Sequence, residues 1–142
     1  MSRLPRVFID SDVLISSVLS NKGASNLLID SSEIEKVISN FSEQEASEVV
    51  KRMRLKKELL RHSIHKCKTI VIKDSISIIK DKYRKYVFDI NDAHIVAGAV
   101  ASKVGFLATY NVKDYKKELI KRDLNIIVST PGVLLQYLRS RK

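Results

Sequence analysis

Carboxylates follow the first apolar run of the chain. Asp10 comes directly after Val7-Phe8-Ile9, and Asp12 lies two residues later. The run predicts a buried β-strand, Arg6–Asp10, and open α/β sheets bind ligands at the carboxyl ends of their strands. A helix cap would account for Ser11 or Asp12, but less easily for Asp10, because a carboxylate at a strand end needs a partner. Asp10 is therefore a candidate functional acid.

A second acid, Asp92, lies near the start of a predicted helix that begins at about Asp89. Val96 and Ala99 follow it at helical spacing, so Asp92 shares the apolar side of that helix. A carboxylate on an inward face is costly unless something pairs with it. We expect Asp89 or Asn91 to cap the helix and Asp92 to reach the site.

The predicted strand Phe106–Tyr110 leads into further oxygen-bearing side chains. Asn111 follows it directly, and Asp114 lies three residues beyond Asn111. These side chains would lie at another strand end, beside Asp10 in a parallel sheet. Asp114 is equally compatible with a solvated position.

A glutamate is the fourth candidate. Three glutamates occupy the start of a helix predicted from about Ser42, where negative charge favours the helix dipole: Glu43, Glu45 and Glu48. Glu45 adjoins the apolar stripe of that helix and is favoured over Glu48.

An oxygen-only carboxylate cluster suits hard cations, Mg²⁺ or Mn²⁺, rather than Zn²⁺. The histidines His62, His65 and His94 form no zinc pattern with Cys67. Two closely held divalent ions could activate water and stabilise the leaving oxygen of a phosphodiester. The sequence has neither GxGxxG nor a P-loop, so a glycine-rich phosphate cradle is not indicated.

Short apolar runs alternate with longer amphipathic stretches, which predicts βα units around a mainly parallel sheet in one α/β domain, residues 1–142. A helix from about Asp12 should turn Leu14, Val18 and Leu27–Leu28 inward, with a break at Lys22-Gly23. The path from Asp74 to Tyr86 has no clear pattern. The remaining predicted elements are a strand at Lys36–Ser39, a long helix from Ser42 to Leu60 with Met53 inward, strands at Thr69–Ile72 and Leu124–Val128, helices at Asp89–Val104 and Tyr115–Lys121, and a closing helix that begins at Pro131.

Basic residues concentrate in the middle of the chain. Residues 51–86 contain 13 Lys and Arg against 3 Asp and Glu, which equals the whole net charge of +10. Such a segment attracts polyanions, but charge alone favours nucleic acid only weakly, and a solvated helix face is the simpler explanation. The candidate phosphate-binding side chains are Lys51, Arg52, Arg54, Lys56, Lys57 and Arg61.

Cysteine usage and the amino-terminal run bear on location. With 142 residues and a single cysteine, Cys67, the chain cannot form an intramolecular disulfide. A reducing compartment is therefore expected. The apolar run before Asp10 is too short for a signal peptide or a membrane span. We expect a cytoplasmic protein that does not enter a membrane.

The acids and their order resemble the successive motifs of the PIN-domain family. The motif residues are Val7–Ile15, the Ser39–Val50 stretch, Asp89–Ala97, Leu107–Tyr115 and the closing Ile126–Leu135. The resemblance implies a three-layer α/β/α fold and a Mg²⁺- or Mn²⁺-dependent ribonuclease. It also implies RNA as substrate, an antitoxin as partner and a homodimer as a further expectation. By position Asp10, Glu45 and Asp92 would be three family acids, with Asn111 or Asp114 as the fourth. Asp12 departs from the family, which often has Asn there.

Two other functions remain open. The sequence Asp10-Ser11-Asp12-Val13 also fits the first motif of haloacid-dehalogenase-type phosphatases, in which the first Asp is the nucleophile and the second a general acid. A non-catalytic PIN-like module that binds RNA or protein would keep the fold without turnover.

Overall fold

A sheet of five parallel strands forms the centre of the molecule. The computed structural model describes residues 4–141. The strands are β1 (Arg6–Ile9), β2 (Glu35–Ser39), β3 (Lys68–Ile70), β4 (Phe106–Ala108) and β5 (Ile127–Ser129). Their order is β3-β2-β1-β4-β5, and every pairing is parallel. The chain leaves β1 toward β2 and later returns to β4 on the other side, so the strand order reverses between β1 and β4.

Helices cover both faces of the sheet, which confirms the predicted three-layer α/β/α fold. The helices are α1 (Ser11–Leu19), α2 (Ala24–Asp30), α3 (Asn40–Arg52), α4 (Lys57–His65), α5 (Ile76–Tyr83), α6 (Ala93–Ala101), α7 (Lys117–Leu124) and α8 (Pro131–Ser140). One core joins the sheet to α5, α6 and α7, and the other joins it to α1–α4 and α8. Pro131 lies in the first turn of α8, as predicted, where its missing N–H costs nothing.

The central strand alternates between the two cores. The side chain of Phe8 enters one core, whereas Val7 and Ile9 enter the other, and all three are fully buried. On the Phe8 side, α6 crosses the strand at Gly98, where a Cβ atom would lie 2.4 Å from Cζ of Phe8. A side chain at residue 98 would force the ring of Phe8 to move, so Gly98 allows α6 to pack closely against β1.

The predicted long helix from Ser42 to Leu60 is wrong, because the chain forms two helices there. Arg54 adopts a left-handed conformation with φ of 57°. The N–H groups of Arg54 and Leu55 then donate to the carbonyls of Lys51 and Val50, which is a Schellman ending. Met53, predicted to face inward, is 48% exposed in this turn. Glycine usually occupies the left-handed position of such an ending, and because arginine occupies it here, the sequence did not indicate that the helix ends.

Other boundaries also differ from the prediction. The stretch predicted as one helix from Asp89 to Val104 begins with a 3-10 turn, Ile90–Asp92, and its α-helix ends at Ala101. Tyr115 lies outside α7 and pairs with Val87 in an isolated antiparallel bridge. Helix α7 extends to Leu124, so β5 starts later than predicted. Leu28 is buried as expected, whereas Leu27 is 54% exposed.

The segment from Asp74 to Tyr86, for which the sequence showed no pattern, forms α5 and a 3-10 turn, Arg84–Tyr86. Only Ile79 of α5 is buried, which explains why no apolar periodicity was evident. Within residues 4–141, no helix combines the length and the apolar character that crossing a bilayer requires.

Candidate active site

Asp10 lies at the carboxyl end of β1, where the strand order reverses, and is 7% exposed. Its backbone N–H donates to the carbonyl of Ala108 at 3.0 Å, which ties it to the end of β4. Its Oδ2 accepts hydrogen bonds from Tyr115 Oη at 2.7 Å and Thr109 Oγ1 at 2.9 Å. Burial raises the pKa of Asp10 above its ordinary value, although these two hydrogen bonds oppose the shift.

Asp12 binds the segment that follows β4. Its Oδ2 accepts from the backbone N–H of Tyr110 and from Nδ2 of Asn111, each at 3.0 Å, while Thr109 Oγ1 lies at 3.3 Å. Its Oδ1 is buried without a hydrogen-bond partner among the described residues. Burial and the charge of Asp10 raise the pKa of Asp12 to about 7.

The helix cap considered for Ser11 or Asp12 is wrong. The N-cap position of α1 belongs to Asp10, and its side chain makes no capping hydrogen bond. Ser11 instead donates its hydroxyl to Oε1 of Glu45. The carboxylates of Asp10 and Asp12 therefore also bind the segment that follows β4, from Thr109 to Asn111.

Glu45, on α3, lies among these acids, whereas Glu48 is exposed. Nε2 of the buried His94 lies 3.5 Å from Oε2 of Glu45. Burial raises the pKa of Glu45, but hydrogen bonds from His94 and Ser11 outweigh it, so the pKa lies below its usual value. Two neighbours thus hold the Glu45 side chain in its charged form.

Asp92 and Asp114 complete the group. Asp89 caps the 3-10 turn by accepting from the N–H of Asn91 at 3.0 Å. The N-cap position of α6 belongs to Asp92 rather than to Asp89 or Asn91, but its side chain makes no capping hydrogen bond, so its carboxylate is available. Burial and, after it in decreasing order, the charges of Asp10, Asp89, Asp114 and Glu45 together raise the pKa of Asp92 to about 7. The predicted acids therefore share one electrostatic environment at the carboxyl edge of the sheet.

The donor set suits a hard divalent cation. It consists of carboxylate oxygens, and burial, together with the repulsion between them, raises the pKa values of Asp10, Asp12 and Asp92. The unpartnered Oδ1 of Asp12 lies beside this set. Within residues 4–141, no three His, Cys, Asp or Glu side chains lie close enough together to hold a metal ion as they stand. The side chain of Asn111 turns its NH₂ group toward Asp12, so only its carbonyl oxygen is a potential ligand.

Sequence reasoning did not assign the side chains that hold the acids. His94 forms no zinc pattern in the sequence, Tyr115 is the last residue of a family motif, and Thr109 lies within the predicted strand Phe106–Tyr110. In the structure all three contact the acids. A polar atom on a buried residue is the one available signal, since such an atom needs a partner.

The six basic candidates are exposed, and the structure divides them. Arg52 lines a cleft of about 490 Å³, the acid cleft, together with Asp12, Glu45 and the alternative glutamate Glu48. A second cleft of about 610 Å³, the α3–α4 cleft, is lined by Lys51, Lys57 and Arg61 around an apolar floor that includes Leu60. Arg54 and Lys56 belong to the turn between α3 and α4.

A family model for the PIN domain matches residues 6–113. A toxin–antitoxin complex from Klebsiella pneumoniae is 21% identical with a TM-score of 0.63, and the match covers 88% of this chain and 97% of that chain. VapBC2 from Rickettsia felis, bound to a DNA fragment from its promoter, is 17% identical with a TM-score of 0.60 and coverages of 88% and 98%. VapBC-1 from nontypeable Haemophilus influenzae is 14% identical with a TM-score of 0.59 and coverages of 89% and 98%. At sequence identities this low, the TM-scores show a shared fold. No curated protein matches the chain significantly.

Proposed function

This chain belongs to the PIN-domain family, whose members are nucleases, and we propose that it is a Mg²⁺- or Mn²⁺-dependent endoribonuclease and the toxin of a toxin–antitoxin pair. One observation carries the proposal. The charges of Asp10, Asp114 and Glu45 all raise the pKa of Asp92, although these residues come from four separate segments. Titratable groups that perturb one another in a cleft are typical of functional sites.

Asp10, Glu45, Asp92 and Asp114 would hold the divalent ion, with the carbonyl oxygen of Asn111 as a further ligand. When bound, such an ion supplies activation of water and stabilisation of the leaving oxygen of a phosphodiester. Tyr115 and Thr109 keep Asp10 oriented, and Ser11 and His94 keep Glu45 charged and in place. No covalent nucleophile is required of the protein.

RNA is the proposed substrate, and Arg52 is the basic side chain best placed to contact its phosphates beside the acids, because both line the acid cleft. Lys51, Arg54, Lys56, Lys57 and Arg61 would act farther along the nucleic acid. The three solved structures reported above are toxin–antitoxin proteins, which supports a protein antitoxin as partner. The homodimer, the single-domain organisation and the cytoplasmic location stay predictions.

The phosphatase alternative loses its basis. The family model that matches is that of the PIN domain. Asp12 would have to be a general acid there, yet one of its oxygens accepts from the segment after β4 and the other is buried. A non-catalytic module remains the competing function, and it differs from the nuclease in turnover.

Cleavage of end-labelled RNA in Mn²⁺ or Mg²⁺ tests the proposal. We expect Asp10→Asn and Asp92→Asn each to lose at least about a hundredfold in rate, at or beyond the upper end of what outer-shell partners of a metal contribute. Asp81→Asn, at an exposed acid on α5, is the matched control and should cleave normally. Mn²⁺ should also raise the melting temperature of the wild type by linkage.

Two results would contradict the proposal. RNA binding without cleavage under either ion would favour the non-catalytic module, and undiminished cleavage by both variants would place the chemistry elsewhere. A crystal grown with Mn²⁺ would identify the ligands directly from the anomalous signal.

A further inference from the structure

The hydroxyl of Tyr115 contacts a carboxylate that is 105 residues away in sequence. Oη of Tyr115 lies 2.7 Å from Oδ2 of Asp10, and the tyrosine is 3% exposed. A buried phenol with a short hydrogen bond to a buried carboxylate is a specific arrangement, because packing of the ring alone would be satisfied by phenylalanine.

The two oxygens of Asp10 have different surroundings. Oδ2 accepts from Tyr115 Oη and from Thr109 Oγ1. Thr109 has one hydroxyl hydrogen to donate, and Oδ2 of Asp10 is nearer to it than Asp12 is. Oδ1 of Asp10 lies 3.3 Å from the hydroxyl of Ser11. That hydroxyl has one hydrogen to donate and is closer to Oε1 of Glu45, so it donates mainly to Glu45. Oδ2 therefore accepts two hydrogen bonds from side chains, whereas the only side-chain donor near Oδ1 among the described residues is the more distant Ser11, whose backbone N–H also stabilises the charged form of Asp10.

Tyr115 also belongs to a segment that joins the other acids. Its backbone pairs with Val87 in the isolated antiparallel bridge. On either side, the N–H of Phe88 donates to the carbonyl of Asp114 at 3.1 Å and the N–H of Lys116 donates to the carbonyl of Tyr86 at 2.9 Å. The residues before Asp92 and the residues around Asp114 are thereby held together, so the ring of Tyr115 enters the site from a well-supported backbone.

We propose that Tyr115 is a positioning residue whose hydroxyl holds Oδ2 of Asp10 and thereby orients Oδ1 toward the divalent cation. The inference rests on the proposed function, because it assigns a role relative to that cation. Without the hydroxyl, the ring keeps its packing while Asp10 loses the shorter of its two restraints. Partners that orient a metal ligand typically contribute ten- to hundredfold in metal affinity.

The test compares Tyr115→Phe with Tyr86→Phe. Tyr86 is an apt control because it is also buried, its hydroxyl also donates to a carboxylate, Asp123 at 3.1 Å, and it lies in the segment paired with Tyr115. Mn²⁺ affinity is measured by calorimetry and by the electron paramagnetic resonance signal of free Mn²⁺. We expect Tyr115→Phe to bind Mn²⁺ about tenfold more weakly than the wild type and Tyr86→Phe to bind within about twofold of it.

RNA cleavage as a function of Mn²⁺ concentration supplies a second readout. A positioning role predicts that Tyr115→Phe needs more Mn²⁺ and approaches the wild-type rate when Mn²⁺ saturates, whereas loss of stability alone would not be rescued in this way. Melting temperatures without metal should be similar for the two phenylalanine variants.

The outcomes separate the two proposals. Unchanged Mn²⁺ affinity in Tyr115→Phe, with a wild type that binds Mn²⁺, overturns the positioning role and leaves the proposed nuclease intact. Equal weakening in both variants also overturns it, because the effect would then be one of general stability. A wild type that binds no Mn²⁺ overturns both.

Discussion

Two sides of helix α3 border clefts of opposite character. Glu45 and Arg52 face the acid cleft, and the charge of Glu45 contributes to raising the pKa of Asp92. Glu43 and Lys51 face the α3–α4 cleft, which is larger, has an apolar floor and is bordered mainly by basic side chains. Glu43 and Glu45 are only two residues apart, yet the helical repeat turns them by about 200° relative to each other. Cleft volume thus does not identify the chemical site, whereas interacting charges do.

The largest expected difference is between two variants in which either Glu45 or Glu43 is replaced by glutamine. Glu45→Gln removes a charge that Ser11 and His94 hold in place, and we expect RNA cleavage to fall about a hundredfold. Glu43→Gln is the same change on the other side of the helix and should leave the rate within about twofold. Steady-state cleavage at saturating Mn²⁺ measures both. Comparable losses in the two variants would remove the distinction between the clefts.

Basic residues provide a smaller contrast. Arg52→Ala should reduce cleavage efficiency about fivefold, because Arg52 lies in the acid cleft. The slope of the logarithm of the RNA binding constant against the logarithm of the salt concentration should also decrease by about one, as for the loss of one phosphate contact. Lys57→Ala, in the α3–α4 cleft, should change efficiency less than about twofold. Filter binding and cleavage at several salt concentrations give both values. A larger effect at Lys57 would show that RNA passes through the second cleft.

The smallest effect is on stability without metal. Burial, with the charges of Asp10, Asp89, Asp114 and Glu45, raises the pKa of Asp92 to about 7. Between about pH 4, where an unfolded aspartate titrates, and about pH 7, the folded state binds more protons than the unfolded state, so stability should fall as pH rises. Asp92 is half-exposed and solvent screens it, so we expect Asp92→Asn to gain about 1 kcal/mol at pH 8 relative to the wild type.

Melting curves from about pH 5 to pH 8 in the presence of a chelator test this expectation. The control Asp81→Asn, at an exposed acid, should follow the wild type. A wild type that becomes more stable as pH rises would contradict the repulsion on which the comparison depends.

The fold was largely predictable. Apolar runs at Val7–Ile9 and Phe106–Ala108 located the two strands that meet where the order reverses, because fully buried parallel strands are continuously apolar. The break after Arg52 was not predictable, since a left-handed arginine has no sequence signal that distinguishes it from a helical one. The predicted helix boundary at Tyr115 was wrong because the backbone of Tyr115 pairs with Val87, which is distant in sequence.

The sequence alone determined which chemistry was available: acids placed after buried strands and at helix starts, with no zinc pattern and no glycine-rich loop. The tertiary structure decided how those acids are held. Tyr115 binds Asp10 across 105 residues and Ser11 binds Glu45 across 34. Local propensities and spacing describe a residue's near neighbours, whereas partners that distant are selected by packing of whole helices against the sheet. That packing includes the approach of α6 to Phe8 that Gly98 permits.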